Sequence, residues 1–214
     1  MRDAYHEELD SLTDKLVEMT RLVRSGISRA TTALLDSDLQ LAENVISRDE
    51  EVNTLFNEVE TSILELMARQ QPVAVDLRMI ITALRMGTDL ERMGDLAVHV
   101  AKVARLRHPD SAIPPELRST IVEMGQIAES LVTKAGSCVA TRDVDSALEL
   151  KHDDDAMDRL HRKLFRSILA KDWQHGVEPA IDITLIGRYY ERYADHAVRV
   201  AESVVYLVTG SRPS

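Results

Sequence analysis

The chain is short of residues that break a backbone and of residues that build sheets. It has 8 glycines and 6 prolines in 214 residues, about half the usual share, and aromatics are only 4%. Scarce turn residues and scarce β-formers exclude all-β and α/β folds, while abundant Ala, Leu, Glu and Arg favour long helices. One cysteine, Cys138, excludes an internal disulfide and a thiolate metal site. It reads as a small packed residue, not as a reactive thiol. No stretch reaches the ~18 apolar residues of a membrane span. The opening MRDAYHEELD lacks the apolar run of a signal peptide. A soluble, cytoplasmic chain without direct membrane insertion is therefore expected. The net charge of −10 repels phosphate backbones and argues against general nucleic-acid binding.

What the chain does have is a repeat. DLERMGDLAVHVA at 89–101 matches YYERYADHAVRVA at 189–201, so that Glu91, Arg92, Asp95, Ala97, Val98, Val100 and Ala101 recur 100 positions later. Gly87 recurs as Gly187. Upstream the offset becomes 105, pairing Asp38 with Asp143, Asp49 with Asp154 and Leu55 with Leu160. Two diverged copies of one unit of ~100 residues are implied, placed at 1–108 and 109–214. Cys138 aligns with Ala33, which again favours a packing role.

Breakers divide each unit into three helices. The first unit is predicted to run from near Asp3 to Leu35, from Asp38 to about Arg69, and from just beyond Val75 to about Arg107. Asp38 is placed to cap the second helix. HPDSAIPP at 108–115 holds three prolines and links the units, because it cannot continue a helix. The second unit reads as Pro115–Thr141, Asp143–Lys171 and Glu178–Val208. Long helices joined by short turns predict an all-α fold: six helices in two pseudo-symmetric antiparallel three-helix bundles.

On a helical wheel, Ala83, Gly87, Leu90, Gly94, Ala97 and Ala101 form a narrow stripe of small and apolar side chains, bordered on one side by Glu91 and Asp95. Glu191 and Asp195 border the same stripe in the second unit. Like charges at i, i+4 repel, more strongly when desolvated, so something should compensate them. The preceding helix supplies Asp154 and Asp158, again at i, i+4. In an antiparallel hairpin, residues at equal height have a constant sum of residue numbers. Pairing Asp154 with Asp195 and Asp158 with Glu191 centres one hairpin between Gln174 and His175. Pairing Asp49 with Asp95 and Asn53 with Glu91 centres the other on Pro72. Both centres fall on turns identified independently. Oxygen-only quartets of this kind suit hard cations such as Mg²⁺, Mn²⁺ or iron. The plainer alternative is that these acids face solvent or pair with arginines: Arg85 and Arg188 are within reach, whereas Arg92 and Arg192 point away. Asn53 makes the first site the weaker one.

Other motifs carry less. Glu149 and His152 have the Glu-x-x-His spacing of di-iron bundles, but a di-iron enzyme needs two such motifs. His6 opens a helix without any ATP lid following, and reads as a solvated histidine. His161, beside Arg162 and Lys163, reads as a surface histidine. No P-loop or nucleophile elbow appears, so no enzyme is expected. A metal-dependent bundle enzyme or metal store remains the competing class.

The doubled signature, DLERMGDLA at 89–97 and RYYERYADHA at 188–197, with the acidic stretches RDEEVN (48–53) and DDAMDRL (154–160), resembles the PhoU family of phosphate-signalling regulators across nearly the whole chain. The resemblance implies a cytoplasmic negative regulator of phosphate uptake and of the phosphate-starvation response. It implies contact with the ATPase subunit of a phosphate-specific ABC transporter and with a sensor histidine kinase. It also implies multinuclear iron, or alternatively manganese or magnesium, on Glu91, Asp95, Glu191, Asp195, Asp154, Asp158 and Asp49. A homodimer is expected of such amphipathic helices. No phosphate cradle stands out, so phosphate is expected to be sensed indirectly.

Overall fold

A computed structural model describes the backbone of residues 2–212 and the side chains of residues 7–69 and 71–212; the His6 side chain lies outside them. The chain forms α1 (Arg2–Asp36), α2 (Leu39–Gln70), α3 (Val75–Arg107), α4 (Arg118–Thr141), α5 (Val144–Ile168) and α6 (Val177–Thr209), with one 3₁₀ turn at Pro115–Leu117. The expected all-α architecture is what the chain adopts. No helix is long and apolar enough to cross a membrane among the described residues.

The predicted caps form. Asp38 accepts the Leu41 amide at 2.9 Å, and Asp143 accepts that of Ser146 at 3.1 Å, each satisfying one orphan donor of a first helical turn. Two ends fall short of expectation. α5 stops at Ile168, three residues early, because the turn to Gly176 folds back and Trp173 Nε1 donates to the Gly176 carbonyl at 2.8 Å. The first helical turn after the linker is 3₁₀, so α4 starts at Arg118.

In each unit the third helix carries the most buried residues among those described. The burial pattern of residues 81–90 repeats position for position in 181–190, so the repeat is physical as well as textual. α1 packs on α2 and α3, and α4 packs on α5 and α6. The units join through α1 against α4 and α3 against α6, giving one continuous apolar core across both. α6 also reaches α1: the Tyr193 hydroxyl donates to the Val23 carbonyl at 3.0 Å, and the Tyr190 hydroxyl lies 2.6 Å from Thr31 Oγ1. Buried phenols need such partners, since an unpaired hydroxyl in this core would cost about 1–3 kcal/mol. Cys138 is buried, and burial pushes its thiol up, which disfavours the thiolate and keeps it inert.

Candidate metal centre

Asp154 and Asp49 each lie in the field of the aspartate paired with them by residue number, Asp195 and Asp95. In the second unit Asp154 faces the negative field of Asp195, Asp158 and Glu191. Desolvation and those charges push its carboxyl up to about 7. Its Oδ1 is buried and has no hydrogen-bond partner. A half-buried carboxylate among three others, with one oxygen orphaned, is electrostatically unsatisfied. Asp158 is the outermost member and is exposed. Arg188 offsets part of the charge through Glu191, at 2.5 Å.

The first unit repeats the arrangement in weaker form. Asp49 is pushed up, chiefly by desolvation and then by Asp95, and Glu91 by desolvation and Asp95. Asn53 donates to Asp49 Oδ2 at 3.3 Å, so the amide that replaces an acid also neutralises part of its neighbour's need. Gly94 is what lets Asp49 sit so close. A Cβ there would stand 2.7 Å from Asp49 Oδ1, nearer than side chains tolerate.

The PhoU domain matches residues 16–104 and 121–204. The chain belongs to the PhoU family. The phosphate-specific transport system accessory protein PhoU homolog 2 of Mycobacterium tuberculosis is 48% identical over 213 residues, covering 100% of both chains. The crystal structure of PhoU from Pseudomonas aeruginosa has a TM-score of 0.87 at 30% identity, covering 97% of this chain and 100% of that one. That of the phosphate transport system regulatory protein PhoU from Streptococcus pneumoniae has a TM-score of 0.88 at 27% identity, covering 98% and 99%. Membership gives the chain a phosphate-transport accessory or regulatory role.

Three sequence expectations about individual side chains change. Arg92, expected to point away, bends back along its own helix to Asp95 at 3.0 Å and Glu91 at 3.6 Å. A long guanidinium stem spans i, i+3 easily, and wheel position alone does not fix where its head lies. Arg85, expected within reach of the acids, lines a cavity beside α6 instead. His161 is no surface histidine. Its Nε2 is buried and unpartnered, desolvation pulls its imidazole down, and it faces the charges of Glu191 and Asp158. The overlooked signal was spacing: His161 follows Asp154 by seven residues, two helical turns on the same stripe. Glu149 and His152, by contrast, are both exposed.

The donor chemistry of the second unit suits a hard cation: Asp154 in the field of three other carboxylates, one orphaned oxygen, and an imidazole nearby whose protonation burial disfavours. Among the described residues no three potential ligands are already drawn together around one point. A bound ion would therefore have to pull them inward.

Proposed function

We propose that the protein is a cytoplasmic negative regulator of phosphate uptake and of the phosphate-starvation response. It acts as a non-catalytic adaptor between the ATPase subunit of a phosphate-specific ABC transporter and a sensor histidine kinase. The observation that carries this reading is a PhoU fold whose ends expose apolar side chains. Val73 and Val75 stand out at the α2–α3 turn, and Leu169, Val177 and Ile181 at the α5–α6 turn. Exposed apolar clusters on a helical protein mark interaction surfaces. The two repeats, 1–108 and 109–214, would then offer one such end each, and a homodimer would double both. Affinity isolation from cells grown in high and in low phosphate should recover the ATPase and the kinase, with their ratio changing between conditions. Recovery of neither in both conditions would sink the adaptor reading.

The carboxylate faces are read as metal sites that clamp the second and third helices of each unit. Asp154, Asp158, Glu191 and Asp195 would hold iron, manganese or magnesium in the second, and Asp49, Glu91 and Asp95 the same in the first. The ion's contribution is charge neutralisation between helices. Elemental analysis of protein purified without chelator is expected to give stoichiometric iron or manganese. At least half of it should be lost in Glu191→Ala/Asp195→Ala. Metal-free wild type whose melting temperature ignores added iron and manganese would remove metal from the account.

A further inference from the structure

The pseudo-symmetry is broken where α3 meets α6. α3 and α6 pack against each other, so equivalent residues appear at both ends of their contact. At one end Asp182, 5% exposed, takes both nitrogens of the Arg107 fork at 2.6 and 3.1 Å, and Glu178 takes a third bond from it. Further along the same contact, His99 and Tyr189 stack at 5.1 Å. This end is closed by its own carboxylates on Arg107.

At the other end the repeat offset of 100 puts Thr82 where Asp182 stands, Arg78 where Glu178 stands, and Asp89 where Tyr189 stands. Both carboxylates of the closed end are gone, Leu207 stands where their partner Arg107 stands, and the cations at this end come from other positions. What opens there is a cavity of about 420 Å³, into which Thr82, Arg85, Arg199 and Arg212 converge. Thr82 is 1% exposed and its Oγ1 has no partner; Arg78, one turn away, has a buried Nε without a partner. Arg85 makes no ion pair among the described residues. Asp89 is occupied by His196 at 2.8 Å and Arg199 at 3.9 Å, so Glu202 on the wall is the acid left to oppose Arg85 and Arg212. In a chain of net charge −10, three guanidinium groups around one cavity are a local reversal of sign.

We propose that this groove between α3 and α6 binds a phosphate-class oxyanion, held by the guanidinium groups that line it and by the unpartnered Thr82 hydroxyl. The Thr82 hydroxyl is unpartnered and the guanidinium groups of Arg85 and Arg212 stand on the same wall, and such a set matches a tetrahedral oxyanion with several acceptor oxygens. A volume of about 420 Å³ lies in the range of small-molecule sites, so it admits inorganic phosphate or a phosphate monoester. The sequence concealed the site because its parts stand more than 100 residues apart and no glycine-rich loop announces them.

Calorimetric titration of the full chain at low, matched ionic strength tests this, with inorganic phosphate in one arm and adenosine 5′-monophosphate in the other. Saturable binding is expected in at least one arm, and which arm identifies the source of the phosphate group. Arg85→Gln should weaken it at least tenfold. Thr82→Asp restores the internal carboxylate of the closed end and should weaken it as much. Arg24→Gln, in the basic patch that α1 shares with Glu129, should leave it unchanged. Arg85 is exposed, so its variant keeps the fold even if Thr82→Asp does not. The proposal is overturned by absence of saturable binding in both arms at millimolar ligand. It is equally overturned if Arg85→Gln binds as wild type does, or if Arg24→Gln weakens binding as much, which would mean diffuse charge only.

Discussion

Replacing Asp154 by asparagine raises the melting temperature of the metal-free protein above pH 7, by about 2–8 °C, and the gain disappears as the pH falls toward 4. The native carboxyl titrates at about 7, against 3.8 for an unperturbed one. Between those values the native state holds a proton that the unfolded chain has released, so stability falls as pH rises through the window and is lowest above it. A shift of three pH units corresponds to about 4 kcal/mol if undiminished. Solvent screening at a half-buried group reduces that to about 1–2 kcal/mol, and each kcal/mol moves the midpoint of a chain this size by about 2–4 °C. Asparagine keeps the shape and removes the charge. Thermal melts of both proteins from pH 4 to 8.5 in chelator check this. A pH-independent difference, or a variant less stable at pH 8, would mean that the carboxylate is satisfied as it stands. With manganese present the order should reverse, since the wild type keeps a ligand that the variant lacks.

The same residue shows how far the sequence could be read. Helix positions were legible because breakers are few and the prolines at 72, 109, 114, 115 and 179 sit in a turn, in the linker or in a first helical turn. The register of each hairpin was legible because Asp154 and Asp195, or Asp49 and Asp95, must stand at equal height when the turn is known. The meeting of the two units was not. Periodicity gives α3 one narrow apolar stripe, but it does not say that α6 also lies against this helix. Everything that depends on that contact stayed hidden: the Arg107–Asp182 pair, the cavity around Arg85, and the bonds from Tyr190 and Tyr193 to α1. Side-chain reach was the other blind spot. Arg92 was assigned by direction on a wheel and His161 by its charged neighbours Arg162 and Lys163, whereas a long stem and a close glycine decide where their heads lie. A Cβ at Gly187 would stand 3.1 Å from the His161 ring, so the glycine is what admits the imidazole toward Glu191.

Putting a single methyl group on each of two glycines of α4 should cost more stability than any change at the surface. Gly125→Ala would place a Cβ 2.7 Å from Thr31 Cγ2 and 3.0 Å from its Oγ1, the oxygen that holds the Ile27 carbonyl and the Tyr190 hydroxyl. Gly136→Ala would place one 2.5 Å from Thr20 Oγ1 and 3.1 Å from its Cβ. Both threonines are buried on α1, and β-branching leaves them little room to turn aside. Overpacking of this kind costs about 1–3 kcal/mol per site. The sites are eleven residues apart, about 16 Å along the helix, so the costs should add to about 4 kcal/mol, a fall of about 10 °C at the midpoint. Gly26→Ala supplies the control. Its added Cβ would meet Ala97 at an ordinary 3.5 Å, so helix propensity should leave it neutral or slightly stabilising. Circular dichroism melts decide between these outcomes, and a double variant as stable as wild type would mean that α1 and α4 are not held this closely. The shape of the transition carries further information. α1 and α4 belong to different repeats, and their apolar faces merge into one core. Loosening their seam should therefore lower a single transition, whereas two separate steps would mean that each three-helix unit folds on its own.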